Sequence, residues 1–202
     1  SGFKIAMRDL EIRGAGSILG AEQHGHIEKI GYDLYCKLLD EAMAELDGKN
    51  QKILRDVKIE IAIPAFAPEN YISDSNERIK LYNSISLIKD ETMVADITKR
   101  LTDAYGKLPK EVEQLIVVGY IKNMAKICGV KRIALNEYAS VIEFYEDMQK
   151  ESEKAKQLCD NDFNIRLELG KTNRFIVNKQ LSVPSRQEIV IKFLLKLQKL
   201  LD

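Results

Sequence analysis

Between residues 57 and 202 the spacing of apolar side chains switches from two to three-and-four and back to two, and this switching limits the chain more than any motif does. Val57, Ile59, Ile61 and Ile63 alternate with Lys58, Glu60 and Ala62, which predicts a half-buried strand stopped by Pro64. Three helical stripes follow. Asp74 is placed as an N-cap with Glu77 three residues on, ahead of Ile79, Tyr82, Ile85 and Ile88. Val94, Ile97, Leu101 and Tyr105 form the second stripe, closed by Gly106. The third runs Val112, Leu115, Ile116, Tyr120, Met124 and Ile127, behind a first-turn Pro109 and ahead of Gly129. Period two then returns in Arg132–Leu135 and Ser140–Tyr145, a strand pair around Asn136-Glu137. A charged, solvent-facing helix is expected over Asp147–Leu158. Phe163, Ile165, Leu167 and Leu169 begin a hairpin that turns at Gly170-Lys171 into Arg174–Val177. The last helix is signalled by Pro184 and a capping box from Ser185 to Glu188, with Val190, Leu194, Leu197 and Leu201 on its apolar face. No regular strand–helix–strand alternation is present, so the expected class is α+β: a small mixed sheet packed with several helices, over residues 57–202.

The chain before residue 57 reads differently. Tyr35, Leu38, Leu39, Ala42 and Leu46 mark a helix ended by Gly48, and the polar stretch Gly48–Lys52 serves as a linker, giving a separate segment over residues 1–50. Seven of the 11 glycines lie in those first fifty residues, so backbone geometry is being used there for something other than a core. The overall balance of 31 Lys+Arg against 31 Asp+Glu excludes a disordered charged tail and a strongly basic nucleic-acid protein. At 7% aromatic residues there is no extended base-stacking surface. Cys36, Cys128 and Cys159 are single and widely spaced, and no apolar run approaches the roughly 20 residues of a membrane span, so a reducing cytoplasm is the expected location. The opening Ser1-Gly2-Phe3, without an initiator Met, is read as the start of a piece of a longer protein.

Arg8 to His26 is dense in charge, glycine and amide side chains. Arg13, just ahead of Gly14, can present its guanidinium fork to a phosphate or a carboxylate; the plainer alternative is pairing with Asp9 or Glu11. Gly14-Ala15-Gly16 lacks the third glycine of a dinucleotide fingerprint, and no Lys-Ser/Thr follows as in a Walker loop. Glu22, His24, His26 and Glu28 alternate and can be drawn with Cys36 as a metal site, but no second ligand pair completes it, and no metal is expected. Lys192, Lys196 and Lys199, with Arg186, share one side of the last helix. A solvated face opposite an apolar stripe accounts for them, with DNA or an acidic partner as the alternative. Glu111 and Glu113 suit the first turn of a helix rather than acid–base work. No Ser-His-Asp or Cys-His set is present, and both histidines lie upstream of residue 57.

Gly2 to His26 resembles the translocation motif shared by two groups of superfamily 2 DNA translocases, the RecG fork helicases and the bacterial transcription-repair coupling factors. The residues that follow, Ile30 to Tyr35, Ile59 to Pro64 and Tyr71 to Tyr82, are similar to the coupling factors' C-terminal domain. The resemblance spans essentially the whole chain. It implies that residues 1–50 are the tail of the second RecA-like motor lobe, a glycine-rich loop and helix, and that residues 57–202 are a regulatory domain. It assigns translocation to Arg13 and Gln23, supported by Glu11 and by Gly14, Gly16 and Gly20. It further implies a parent that uses ATP and Mg to walk on duplex DNA, displaces stalled RNA polymerase and recruits excision repair through UvrA. In such a parent the C-terminal domain packs on a UvrB-like N-terminal module and hides the UvrA-binding surface. This chain itself lacks Walker A, DExx and arginine-rich helicase motifs and is expected to hydrolyse no ATP and to hold no cofactor. The remaining readings are a fragment of a RecG-like helicase and a non-enzymatic interaction domain with a chance glycine-rich segment.

Overall fold

The computed structural model describes residues 32, 35–37, 39, 56–159, 164–170 and 172–202. Contacts divide these into two compact units: Pro64–Gly119 with the described residues up to 39, and residues 56–63 with Tyr120–Asp202. The class is α+β, as the period switches require.

In the first unit, helix α1 spans Ser75–Ser86 and α2 spans Glu91–Tyr105. The Asp74 carboxylate caps α1, accepting the amide of Asn76 at 2.7 Å and that of Glu77 at 3.4 Å. The Glu77 side chain does not reach back as a capping box would; it takes Lys80 at 2.7 Å. Asp90 caps α2 by accepting the Met93 amide at 3.0 Å. Its exposed carboxyl is held below the usual range, first by the Thr92 hydroxyl and then by that amide. Gly106, at φ 83, lets the chain leave α2 in a conformation that L side chains rarely adopt. Helix α3, Lys110–Ile127, runs from this unit into the second. Its stripe is buried as expected except at its end, where Ile127 is exposed, and burial extends beyond the stripe to Val118, Ile121 and Ala125. A helix buried on most sides serves as a core element rather than a surface one. Within the unit, Ile85 of α1 and Gly119 of α3 lie so close that a Cβ at Gly119 would sit 2.0 Å from Ile85 Cγ2.

The second unit is a five-stranded sheet with order β1-β2-β3-β5-β4. Its strands are β1 Lys58–Ile61, β2 Val130–Leu135, β3 Ser140–Phe144, β4 Ile165–Glu168 and β5 Arg174–Val177. β1 lies parallel to β2 and all other neighbours are antiparallel. The β2–β3 turn is tightened by Asn136, whose side-chain oxygen accepts the amides of Tyr138 and Ala139. Two helices pack with the sheet, α4 Gln149–Cys159 and α5 Val183–Leu201. Alternation puts Ile133, Ile142, Phe175 and Ile165 on one face, where they are buried together with Val190, Phe193, Leu194 and Leu197 of α5. Phe175 meets Phe144 and Phe193 at ring-centroid distances of 5.2 and 6.0 Å.

Four local expectations are corrected. α5 starts a turn earlier than Ser185: Ser182 is the N-cap, its hydroxyl accepting the Ser185 amide at 3.3 Å, and Pro184 sits inside the first turn. α4 is not wholly solvent-facing, because Ser152 and Ala155 are buried where it packs with α5 and β4. Leu169 is 75% exposed at the hairpin tip, and Tyr105 is 40% exposed at the end of α2, since each lies past the last residue that its packed layer covers. Arg186 does not belong to the exposed basic face: it is 6% exposed, and its guanidinium donates to the Asn136 carbonyl at 3.3 Å.

Candidate functional site

Arg13, Gln23, Glu11, Gly14, Gly16 and Gly20 lie outside the described residues, as do Glu22, His24, His26 and Glu28. Cys36 is described and buried. Among the described residues no cluster of His, Cys, Asp and Glu is arranged to hold a metal ion, and no helix is long and apolar enough to cross a membrane.

The described residues do form a groove. α2 buries only Ile97 and Leu101, so most of its surface is left open. Two adjoining cavities of about 650 and 250 Å³ share Ser84, Ile97 and Arg100 and together run along the α1–α2 seam. Their floor is apolar, with Leu81, Leu87, Met93 and Ile97, and one end is walled by Ile72 and Tyr105. The rim is charged: Asp96, Lys99, Arg100 and Asp103 are all exposed, and none makes an ion pair among the described residues. Glu77 and Lys80, further along, are already spent on each other at 2.7 Å. The end of α2 is fixed by Tyr71, whose hydroxyl donates to the carbonyls of Leu101 at 3.3 Å and Gly106 at 3.1 Å. The Tyr71 ring lies 5.6 Å from that of Tyr105. Burial, with Tyr105 adding to it, pushes the Tyr71 phenol above its ordinary pKa, so it remains a donor through neutral pH. An apolar floor with an unspent mixed-charge rim on a rigid helix pair is the chemistry of a protein-docking surface: the floor supplies desolvation and the rim supplies register.

The sheet of the second unit shows the opposite treatment of charge. Lys58 pairs with Glu60 at 2.8 Å, Glu60 with Arg132 at 2.6 Å, and Arg132 with Glu143 at 3.1 Å. Glu143 continues to Arg174 at 3.2 Å, and Arg174 to Glu168 at 3.4 Å. The ladder touches all five strands, and every member is satisfied by another. Lys58, then Arg132, hold the Glu60 carboxyl below the usual range against the opposing effect of burial. Burial alone would lower the Arg132 pKa, but its bonds to Glu143 and Glu60 outweigh that and raise it. On the same unit Lys122, 3% exposed, is held by the Asp56 carboxylate at 3.2 Å, and Tyr145 donates to the Asp56 carbonyl, which pins the entry to β1. None of these pairs was visible in the sequence. Lys122 lies off the third helical stripe, on the side of α3 that Val118 and Ala125 bury, and Glu60 and Arg132 are 72 residues apart.

The family model of the TRCF domain matches residues 61–155. The chain is 37% identical over 175 residues to a transcription-repair-coupling factor of Bacillus subtilis. That alignment covers 84% of this chain, more than residues 57–202 amount to, and 15% of the relative. It is 36% identical over 151 residues to the corresponding factor of Escherichia coli, covering 72% of this chain and 13% of that one. The chain thus spans about 15% of the length of the relatives it matches. A solved structure of the C-terminal domain of a transcription-repair coupling factor superposes with a TM-score of 0.58 at 21% identity, over 71% of this chain and 94% of that one. At that identity the likeness is one of fold.

Proposed function

The chain belongs to the transcription-repair coupling factor family and carries its TRCF domain, and from that premise we propose that residues 57–202 are a regulatory, non-catalytic docking module of an ATP-dependent DNA translocase. The observation that carries the reading is the α1–α2 groove, whose floor is apolar and whose rim charges have no partner within the described chain. Its occupant is the parent's own UvrB-like N-terminal module, held there until the motor engages, so that the UvrA-binding surface stays covered. ATP and Mg belong to the parent's motor lobes, as do the grip on duplex DNA and the displacement of RNA polymerase. Arg13 and Gln23 carry translocation from the segment ahead of residue 57, with Glu11 and the glycines Gly14, Gly16 and Gly20 giving that segment its reach. An intramolecular lock of this kind needs only a few kcal/mol of differential contact to shift the population of the open state by orders of magnitude.

The test is UvrA binding to the full-length parent by isothermal titration. Removing residues from Val57 onward raises the affinity, and the pair Arg100→Glu with Asp103→Lys, which exchanges two of the four rim charges without touching the floor, raises it in the same direction. A parent whose isotherm is unchanged by both alterations refutes the lock.

A further inference from the structure

The second unit spends its cations unevenly. On the strands, Lys58, Arg132 and Arg174 are neutralised by carboxylates, whereas exposed Lys131 and Arg166 make no ion pair among the described residues; Lys122 is neutralised by Asp56. On α5 three unpaired cations fall in one row. Lys192, Lys196 and Lys199 are all exposed and none has a carboxylate partner among the described residues. The only acidic residues described from 172 onward are Glu188, one turn before Lys192, and Asp202, just past the last residue of the helix, so they bound the row without pairing with it. The three lysines stand four and three residues apart, so they form one row about 10 Å long at 1.5 Å per residue. The helix beneath them is anchored by Val190, Phe193, Leu194 and Leu197, which are fully or nearly fully buried, so the row is carried on a rigid element.

We propose that this row is a contact surface for the phosphate backbone of duplex nucleic acid, read without regard to sequence. Two features favour phosphate over an acidic protein. Lysine is depleted from protein–protein interfaces, which are centred on aromatic, methionine and arginine anchors, and the row is lysine alone. The one exposed large apolar side chain on α5 is Leu200, 40% exposed at its far end, so there is no apolar centre for a protein partner to cover. Duplex DNA, by contrast, presents one charge for about every 1.7 Å of axis, about six along the length of the row, and needs only point charges held in line. Such a surface would let the regulatory module track the duplex that the parent moves along, a role separate from the α1–α2 groove.

The probe is a fluorescently labelled duplex of arbitrary sequence, titrated with the 202-residue chain between about 50 and 200 mM salt and followed by anisotropy. With three phosphate contacts, log K falls against log salt with a slope of about −2.7, which amounts to about 40-fold over that range. The triple variant Lys192→Gln, Lys196→Gln, Lys199→Gln flattens the slope toward zero and loses most of the low-salt affinity. A charge-matched control, Lys89→Gln, Lys110→Gln, Lys131→Gln, changes only exposed lysines elsewhere and leaves the slope in place. Thermal unfolding of both variants checks that the fold is intact. The proposal is overturned if the unmodified chain shows no salt-dependent binding, if the two triple variants lose affinity equally, or if polyglutamate binds the row while the duplex does not.

Discussion

Gly119→Ala is the substitution whose cost the structure fixes most directly. The new methyl carbon would lie 2.0 Å from Ile85 Cγ2, against a normal contact of about 3.5–4.0 Å, so one of the two helices or the Ile85 side chain must give by about 1.5–2 Å. Ile85 is 0% exposed and cannot swing into solvent. Inserting a methyl group into a packed core costs about 1–3 kcal/mol, and this overlap belongs at the upper end; replacing a helical glycine by alanine returns about 1 kcal/mol. The net expectation is a loss of about 2 kcal/mol, measured by urea unfolding and followed by circular dichroism, since the chain has no tryptophan to report by fluorescence. The diagnostic step is the second mutation. Ile85→Ala alone costs about 2–5 kcal/mol by opening a cavity, but it removes the clashing Cγ2. In that background Gly119→Ala should become stabilising by about 1 kcal/mol, a coupling of about 3 kcal/mol between the two sites. Ser84, next to Ile85, lines the α1–α2 groove, so the single mutant that pushes α1 away from α3 should also weaken whatever docks there. The reasoning fails if Gly119→Ala costs nothing, or costs the same with and without Ile85.

The lowered Glu60 carboxyl supplies stability that is present above its unfolded-state pKa, about 4.3, and is lost as pH falls through the lower folded-state value. Glu60→Gln should therefore flatten the decline of stability on acidification, and an identical acid-unfolding curve would discount the ladder. Arg132→Met removes the hub that joins Glu60 to Glu143 at sites about a quarter exposed, and should cost about 1–2 kcal/mol in urea unfolding, between the values of surface and buried pairs. Burial pushes the Cys128 thiol up to about 12, so native-state alkylation near pH 8 should label half-buried Cys159 well before Cys128, and equal rates would show that the α3 end opens. Ser182→Ala deletes the α5 cap and should cost about 1 kcal/mol of stability, while Ser185→Ala, which keeps that cap, should cost less.

What was legible in the sequence was what local chemistry determines. Asp74 caps where the pattern places it, Gly106 and Gly129 adopt the positive φ that ends a helix, and the alternating segments are strands. The α5 start was legible as well, but through Pro184: a proline belongs inside the first turn, which puts the cap at Ser182 and makes the Ser185–Glu188 box incidental. Three things depended on long-range pairing, and no local pattern encodes them. β1 joins β2 in parallel although three helices separate them in the chain. Lys122 is buried on the side of α3 away from the predicted stripe, where Asp56 comes to it. Arg186, drawn with the basic face by its spacing, turns inward to the Asn136 carbonyl. The translocation residues Arg13 and Gln23 were legible only by resemblance and lie outside the described residues. The equal count of 31 basic and 31 acidic residues conceals the same distinction. A sum of zero is compatible with charges that all cancel locally or with charges that cancel only across the molecule, and these have different consequences. On the sheet they cancel in place, Lys58 through Glu168, and the face offers a visitor little field. Along the lysine row of α5 they do not, so a negatively charged partner gains by arriving there.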